Sequence, residues 1–199
     1  LKGSIMKMNK TALLLLTTLV ASPAALAEQT PNFNFVSGGY LDGDIDGEGA
    51  NGWTIDGSKL VSENVFLSGQ YQTVGDSVNG ADFDINWLSA GVGYRTAINT
   101  STDFYGLLTY ENLELEASYA GRSESEDENG YGLSVGLRSM VSESFELDGR
   151  LGYVDIDDDS ETSISVGARY YINENLSFGA NYMSLDDLDL ISATVRYSF

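Results

Sequence analysis

The sequence predicts an all-β protein, an up-and-down antiparallel transmembrane β-barrel of ten strands, with eight as the alternative count. Three observations point there. From Asn32 to Phe199 the chain runs in segments of about ten residues that alternate apolar and polar at period 2. The connections between them are alternately short and long, and the long ones are rich in Gly and acid. Aromatic residues gather at both ends of the apolar faces, where an amphipathic ring suits a membrane interface.

Residues 1–27 read differently. Lys7 and Lys10 precede an apolar run from Ala12 to Val20, and Ser22-Pro23 leads to the small-residue site Ala25-Leu26-Ala27. This is the layout of a secretory signal peptide, with Ala25 and Ala27 before the cut and Glu28 after it. Translation is expected from Met6 or Met8, which makes Leu1 to Ile5 an over-extended frame. A spanning helix needs about 20 apolar residues, and this run has roughly half that before Pro23. The expected organisation is a cleaved leader, 1–27, and a barrel, 28–199. The leader removes Lys2, Lys7 and Lys10 and no acid, leaving 172 residues with 7 basic and 30 acidic side chains, a formal charge of −23. Nothing after Ala27 is long and apolar enough for a spanning helix, so the mature chain is either soluble or a barrel.

The ten segments are 32–41, 52–61, 65–74, 84–95, 104–115, 130–140, 145–154, 162–171, 176–184 and 190–199. Three short turns look alike: Val61-Ser62-Glu63-Asn64, Val141-Ser142-Glu143-Ser144 and Ile172-Asn173-Glu174-Asn175. The fourth, Thr96 to Asp103, reads as longer and polar. The acidic loops are Asp42 to Asn51, Ala117 to Asn129 and Asp155 to Glu161. Short turns at one end, long loops at the other and an even strand number suit a membrane barrel. A soluble β-sandwich is the competing architecture.

Three features separate the two. Along 163–170, Ile164, Val166, Ala168 and Tyr170 alternate with Ser163, Ser165, Gly167 and Arg169, and the 131–138 and 176–182 stretches behave alike. A polar face so rich in Gly and Ser suits a narrow interior better than a solvated exterior. Aromatics form two expected rings: Tyr94, Phe104, Phe145, Tyr170, Phe178, Tyr197 and Phe199 on the turn side, and Tyr40, Trp53, Tyr71, Tyr110, Tyr131, Tyr153 and Tyr182 on the loop side. Trp87 and Tyr94, seven apart, cannot share a face without a bulge, and the first strand is ambiguous in phase. Finally, Arg138, Arg150, Arg169 and Arg196 lie on polar faces with Glu111, Glu146, Asp148 and Asp56. Charges in a narrow lumen need partners, because breaking one buried pair costs about 3–5 kcal/mol. If the 155–161 loop closes a hairpin, Asp148 falls opposite Arg169, and the expected ladder is Arg138, Asp148, Arg169.

The chain ends Ile191-Ser192-Ala193-Thr194-Val195-Arg196-Tyr197-Ser198-Phe199. This resembles the C-terminal signal by which outer-membrane barrels are recognised for assembly, with Phe199 last and Tyr197 two before it. With the leader, residues 28–199 resemble a small outer-membrane β-barrel protein of the OmpA/OmpX-type superfamily. The resemblance implies a Gram-negative outer-membrane location, contact with its lipids and lipopolysaccharide, and delivery by periplasmic chaperones to the barrel-assembly machinery. It does not fix a function, since such barrels serve as anchors, adhesins, narrow channels or enzymes. Typical small members have eight strands, against the ten counted here.

Composition narrows the choice. The 199 residues contain no His and no Cys, removing the usual general base, the commonest metal ligand and all thiolate chemistry. With 10 Lys+Arg against 30 Asp+Glu, the chain cannot coat a phosphate backbone, so no nucleic-acid partner is expected. Gly132-Leu133-Ser134-Val135-Gly136 matches the G-x-S-x-G elbow but lacks the histidine and the strand-to-helix turn that elbow needs. No enzyme activity and no cofactor are expected. Asp42, Asp44 and Asp46 open a stretch like a calcium loop, but its twelfth position is Trp53 rather than Glu. A weak calcium site there, or at Asp157 and Asp159, is the only metal expectation. The functional expectation is a non-enzymatic barrel with a side-chain-filled lumen, anchoring acidic loops for surface contact, adhesion or envelope integrity with divalent cations or cell-surface ligands. The alternatives are a narrow cation-selective channel and a vesicle-borne or shed signalling protein.

Overall fold

The computed structural model describes residues 30–45, 48–78, 81–119, 122–157, 159–186 and 188–199; Ala25, Ala27, Glu28 and Asp46 lie outside them. Ten strands form a closed antiparallel barrel in which each pairs with its sequence neighbours and the first pairs with the last. They are β1 (Phe35–Ile45), β2 (Glu48–Leu60), β3 (Val65–Val78), β4 (Ala81–Ala97), β5 (Thr102–Tyr119), β6 (Arg122–Ser142), β7 (Phe145–Ile156), β8 (Asp159–Tyr171), β9 (Leu176–Leu185) and β10 (Leu188–Ser198). Closure runs from Phe35 opposite Ser198 to Ile45 opposite Leu188. A closed sheet leaves no edge, which lets strands cross a bilayer without unpaired backbone.

Alternation assigns every strand two faces. Outward stand Val36, Ile55, Leu67, Leu88, Val92, Leu108, Leu133, Val135, Ile191 and Val195, all exposed. So large an apolar belt is untenable in water and natural in lipid. Aromatics flank it. Phe145, Tyr170 and Phe178 are direct neighbours across β7, β8 and β9 on the turn side. On the other side Tyr40 faces Trp53 and Tyr110 faces Tyr131. All the expected ring members are exposed except Tyr71, which is half-buried against Trp53, their rings 5.4 Å apart. Trp87 belongs to neither ring: it points inward, and the spacing of seven from Tyr94 needs no bulge.

Two of the four short connections, 96–103 and 141–144, are tighter than the sequence suggests. At 61–64, 98–101 and 172–175 the same bond closes the turn, from the N–H of Val61, Ile98 or Ile172 to the carbonyl of Val65, Thr102 or Leu176. The stretch expected as a longer polar connection, 96–103, is therefore half strand, with a turn of four residues, 98–101. Conversely 141–144 departs from its lookalikes: β6 reaches Ser142, a bulge lies between Met140 and Ser142, and β7 starts at Phe145.

At the other end all ten strands outrun the expected segments, by one residue in β9 and by eight in β6. The acidic stretches expected as loops are largely β-ribbon. Pairing in β5 and β6 continues until Tyr119 meets Arg122. The physical reason is that apolar alternation reports the lipid boundary, whereas backbone pairing is indifferent to side-chain polarity and continues past it.

Candidate functional site

The interior is a charged core. On β6 and β7, Arg138 and Glu146 form a bidentate pair, Nε to Oε1 at 2.9 Å and Nη2 to Oε2 at 3.0 Å, both side chains buried. Two parallel charge-assisted bonds are the strongest arrangement open to a guanidinium and a carboxylate. Tyr171 on β8 donates its hydroxyl to Glu146 Oε2 at 2.8 Å, and Arg196 Nη1 on β10 stands 4.0 Å from Glu146 Oε1. One carboxylate thus collects groups from three other strands. Arg196 lies over the Phe35 ring, 3.7 Å from its centroid, a cation–π contact that partly replaces the hydrogen bonds its buried Nε and Nη1 do not make.

The expected ladder is displaced by two residues. Arg138 does face Asp148 across β6 and β7, but Asp148 faces Gly167, and Arg169 faces Glu146. The cause is the β7–β8 turn: strands pair up to Ile156 and Asp159, with Asp157 at φ 49°, a left-handed conformation that Asp tolerates. The turn is centred one residue earlier than a pairing of Asp148 with Arg169 requires, which offsets the partner strand by two, so Glu146 takes the central role assigned to Asp148. Arg169 instead donates to Thr194 Oγ1 at 3.0 Å and to Ser177 Oγ at 3.4 Å. Asp148, Arg150 and Asp56 line the same cavity, of about 200 Å³.

Glu111 stands apart, in the outer half of the lumen. Trp87 Nε1 donates to its Oε2 at 2.7 Å and Ser89 Oγ to its Oε1 at 3.1 Å, and the Thr109 hydroxyl donates to it as well. A smaller cavity of about 80 Å³ lies between Trp87, Glu111, Gln70, Gln72 and Arg150. At the turn end Arg95 Nη1 bridges Asp103 Oδ2 at 2.8 Å. Between the aromatic rings the inward charges therefore balance among the described residues: Arg95, Arg138, Arg150, Arg169 and Arg196 against Asp56, Asp103, Glu111, Glu146 and Asp148.

Tyr105, Tyr171, Arg95, Asp103 and Phe33 join this core without having been singled out from sequence. The four strand residues sit in inward phase, which alternation could have given; Phe33 precedes β1 and follows no period. The calcium expectation changes form. Asp42 and Asp44 stand on β1, exposed and in extended backbone rather than wrapped around a centre. Asp157 occupies a turn and Asp159 starts β8. Among the described residues no group of three Asp or Glu side chains is placed to hold a metal ion. Tyr197 and Phe199 are exposed on the outer surface at the turn end.

A closed barrel with an apolar outer belt, aromatic rings at both rims and a charged core is an integral outer-membrane protein. The chain belongs to the outer membrane protein beta-barrel domain family, whose model matches residues 11–171. A comparison with curated proteins returns no match. Among solved structures, the chain is similar to Ail, the attachment invasion locus protein of Yersinia pestis, in complex with the heparin analogue sucrose octasulfate. Identity is 20%, with 82% of this chain and 97% of that chain covered and a TM-score of 0.48. It is also similar to OprG from Pseudomonas aeruginosa, with 11% identity, 86% and 99% coverage and a TM-score of 0.46.

Proposed function

We propose that this protein is a non-enzymatic outer-membrane anchor: a barrel closed by its own side chains, holding acidic ribbons outside the cell as a contact surface. The balanced charge network centred on Glu146 carries this reading, because interlocked side chains from β6, β7, β8 and β10 occupy the turn-side half of the lumen. The ribbons support it too. Glu114 stands directly opposite Asp127, and Asp84 opposite Glu116. Like charges facing across a ladder destabilise it, so their presence argues for work done at the surface, on cations or on cationic groups of another cell or matrix.

In this reading the mature chain begins at Glu28, Tyr197 and Phe199 present the assembly machinery with its signal, and lipopolysaccharide surrounds the outer ring. The deciding experiment is conductance of refolded residues 28–199 across a planar bilayer. Verified insertion without current steps is the expected result, and steady steps would overturn the closed-barrel reading. The second reading, a narrow channel, draws on the cavity of about 200 Å³ inside the barrel. Ten strands enclose only a little more space than eight, where side chains just fill the interior, so such a channel would be small.

A further inference from the structure

At the turn end of the barrel the chain does something that neither membrane anchoring nor surface contact requires. Thr30 is exposed, but Pro31 has under 2% of its surface accessible and Phe33 only 3%. Between Thr30 and β1 the chain therefore crosses the mouth of the barrel and sends one aromatic ring into it. Asn32 sets the bend: its Oδ1 accepts the N–H of Asn34 at 2.7 Å, the local side-chain turn that Asn forms with the backbone two residues on. Asn34 pins the segment to the rim, its Oδ1 accepting from Leu60 N at 2.9 Å and its carbonyl from Phe199 N at 3.1 Å.

The Phe33 ring enters a built receptacle. Its centroid lies 5.0 Å from that of Phe66 and 6.1 Å from that of Tyr105. Arg138 lies 4.6 Å and Arg95 5.2 Å from the ring centre, and Arg138 Nη1 also donates to the Asn32 carbonyl at 2.9 Å. Both arginines are already fixed by carboxylates, Glu146 and Asp103. The walls are cut to fit. A side chain at Gly93 would collide with the Phe66 ring and one at Gly136 with Tyr105, so these two glycines let the aromatics lie flat against the sheet where Phe33 rests on them.

We propose that residues 31–34 are a built-in stopper that seals the periplasmic mouth of the lumen, with Phe33 as its plug and Asn32 and Asn34 as its fastenings. In outer-membrane barrels the short turns face the periplasm, which places the stopper on that side. The proposal rests on the closed-barrel reading and adds to it: the charge network fills the turn-side half of the lumen, and the stopper, seated against Arg138, determines whether periplasmic solutes reach it. Nothing covalent holds the segment, so release needs only local opening.

The test uses a thiol probe, since the chain has no cysteine. Ser58 is buried and lines the large cavity, so Ser58→Cys reports on entry. In refolded residues 28–199 this cysteine should react slowly with a small charged maleimide. Adding Phe33→Ala should speed labelling by at least about tenfold, the mark of a lost local barrier. Asn32→Ala, which keeps the ring and loosens the bend, should speed it less. Each variant is first checked for a folded barrel by circular dichroism. Equal labelling rates with and without the ring, in folded protein, would overturn the stopper while leaving the closed network standing. Current steps from the unmodified mature chain would overturn both.

Discussion

Glu146 is the residue on which the interior depends most. It is 1% exposed and accepts from Arg138 twice and from Tyr171 once. Glu146→Ala leaves Arg138 and Arg196, both largely buried, without their anion, and the expected cost is about 3–5 kcal/mol, read from urea unfolding in lipid. The double variant Glu146→Ala with Arg138→Met should recover part of that loss, because it removes one of the two stranded charges and leaves Arg196. If the double variant is as unstable as the sum of its parts, the pair is not the coupled unit described here. The sequence placed Glu146 in the lumen by parity alone. It could not prefer Glu146 over Asp148, because a two-residue error in one turn exchanges their neighbours.

At the scale of elements, period-2 alternation located all ten strands and the side that meets lipid in all but β1 and β4, whose phase it left open. It misplaced their outer ends. The exposed acidic stretch of β6, Arg122 to Asn129, pairs throughout with β5, although nothing in its composition resembles a strand. Its stability comes from the ladder begun inside the membrane, and its like-charged neighbours work against it. Replacing Asp127 by Lys puts an opposite charge across from Glu114 and should stabilise the ribbon by about 0.2–1 kcal/mol. Slower hydrogen exchange of the 113–128 amides would report it, while the barrel's unfolding midpoint stays unchanged. The short turns teach the converse lesson. Resemblance grouped 141–144 with 61–64 and 172–175, yet backbone bonding groups 98–101 with those two instead.

For the whole molecule the decisive property is which surface meets lipid. The two tryptophans report opposite sides: Trp53 is exposed on the outer ring, and Trp87 faces the lumen bonded to Glu111. Brominated lipid should therefore quench the emission of Trp87→Phe, which retains Trp53, and leave that of Trp53→Phe nearly untouched. Similar quenching in both would mean that Trp87 faces outward and that the phase of β4 is wrong. The sequence by itself determined the fold class, the count of ten strands, the greasy face of most of them and eight of the ten inward charges, because alternation and composition are local and each strand writes its own pattern. Only the tertiary structure decided who pairs with whom. Register is set by turns of two to four residues, where one residue's φ moves a whole strand. Closure brings β10 beside β1, so that Arg196 reaches Glu146. The placement of Phe33 follows no periodicity at all, because a segment that folds back into a barrel mouth is held by groups from β2, β3, β4, β5 and β6 that no stretch of sequence contains together.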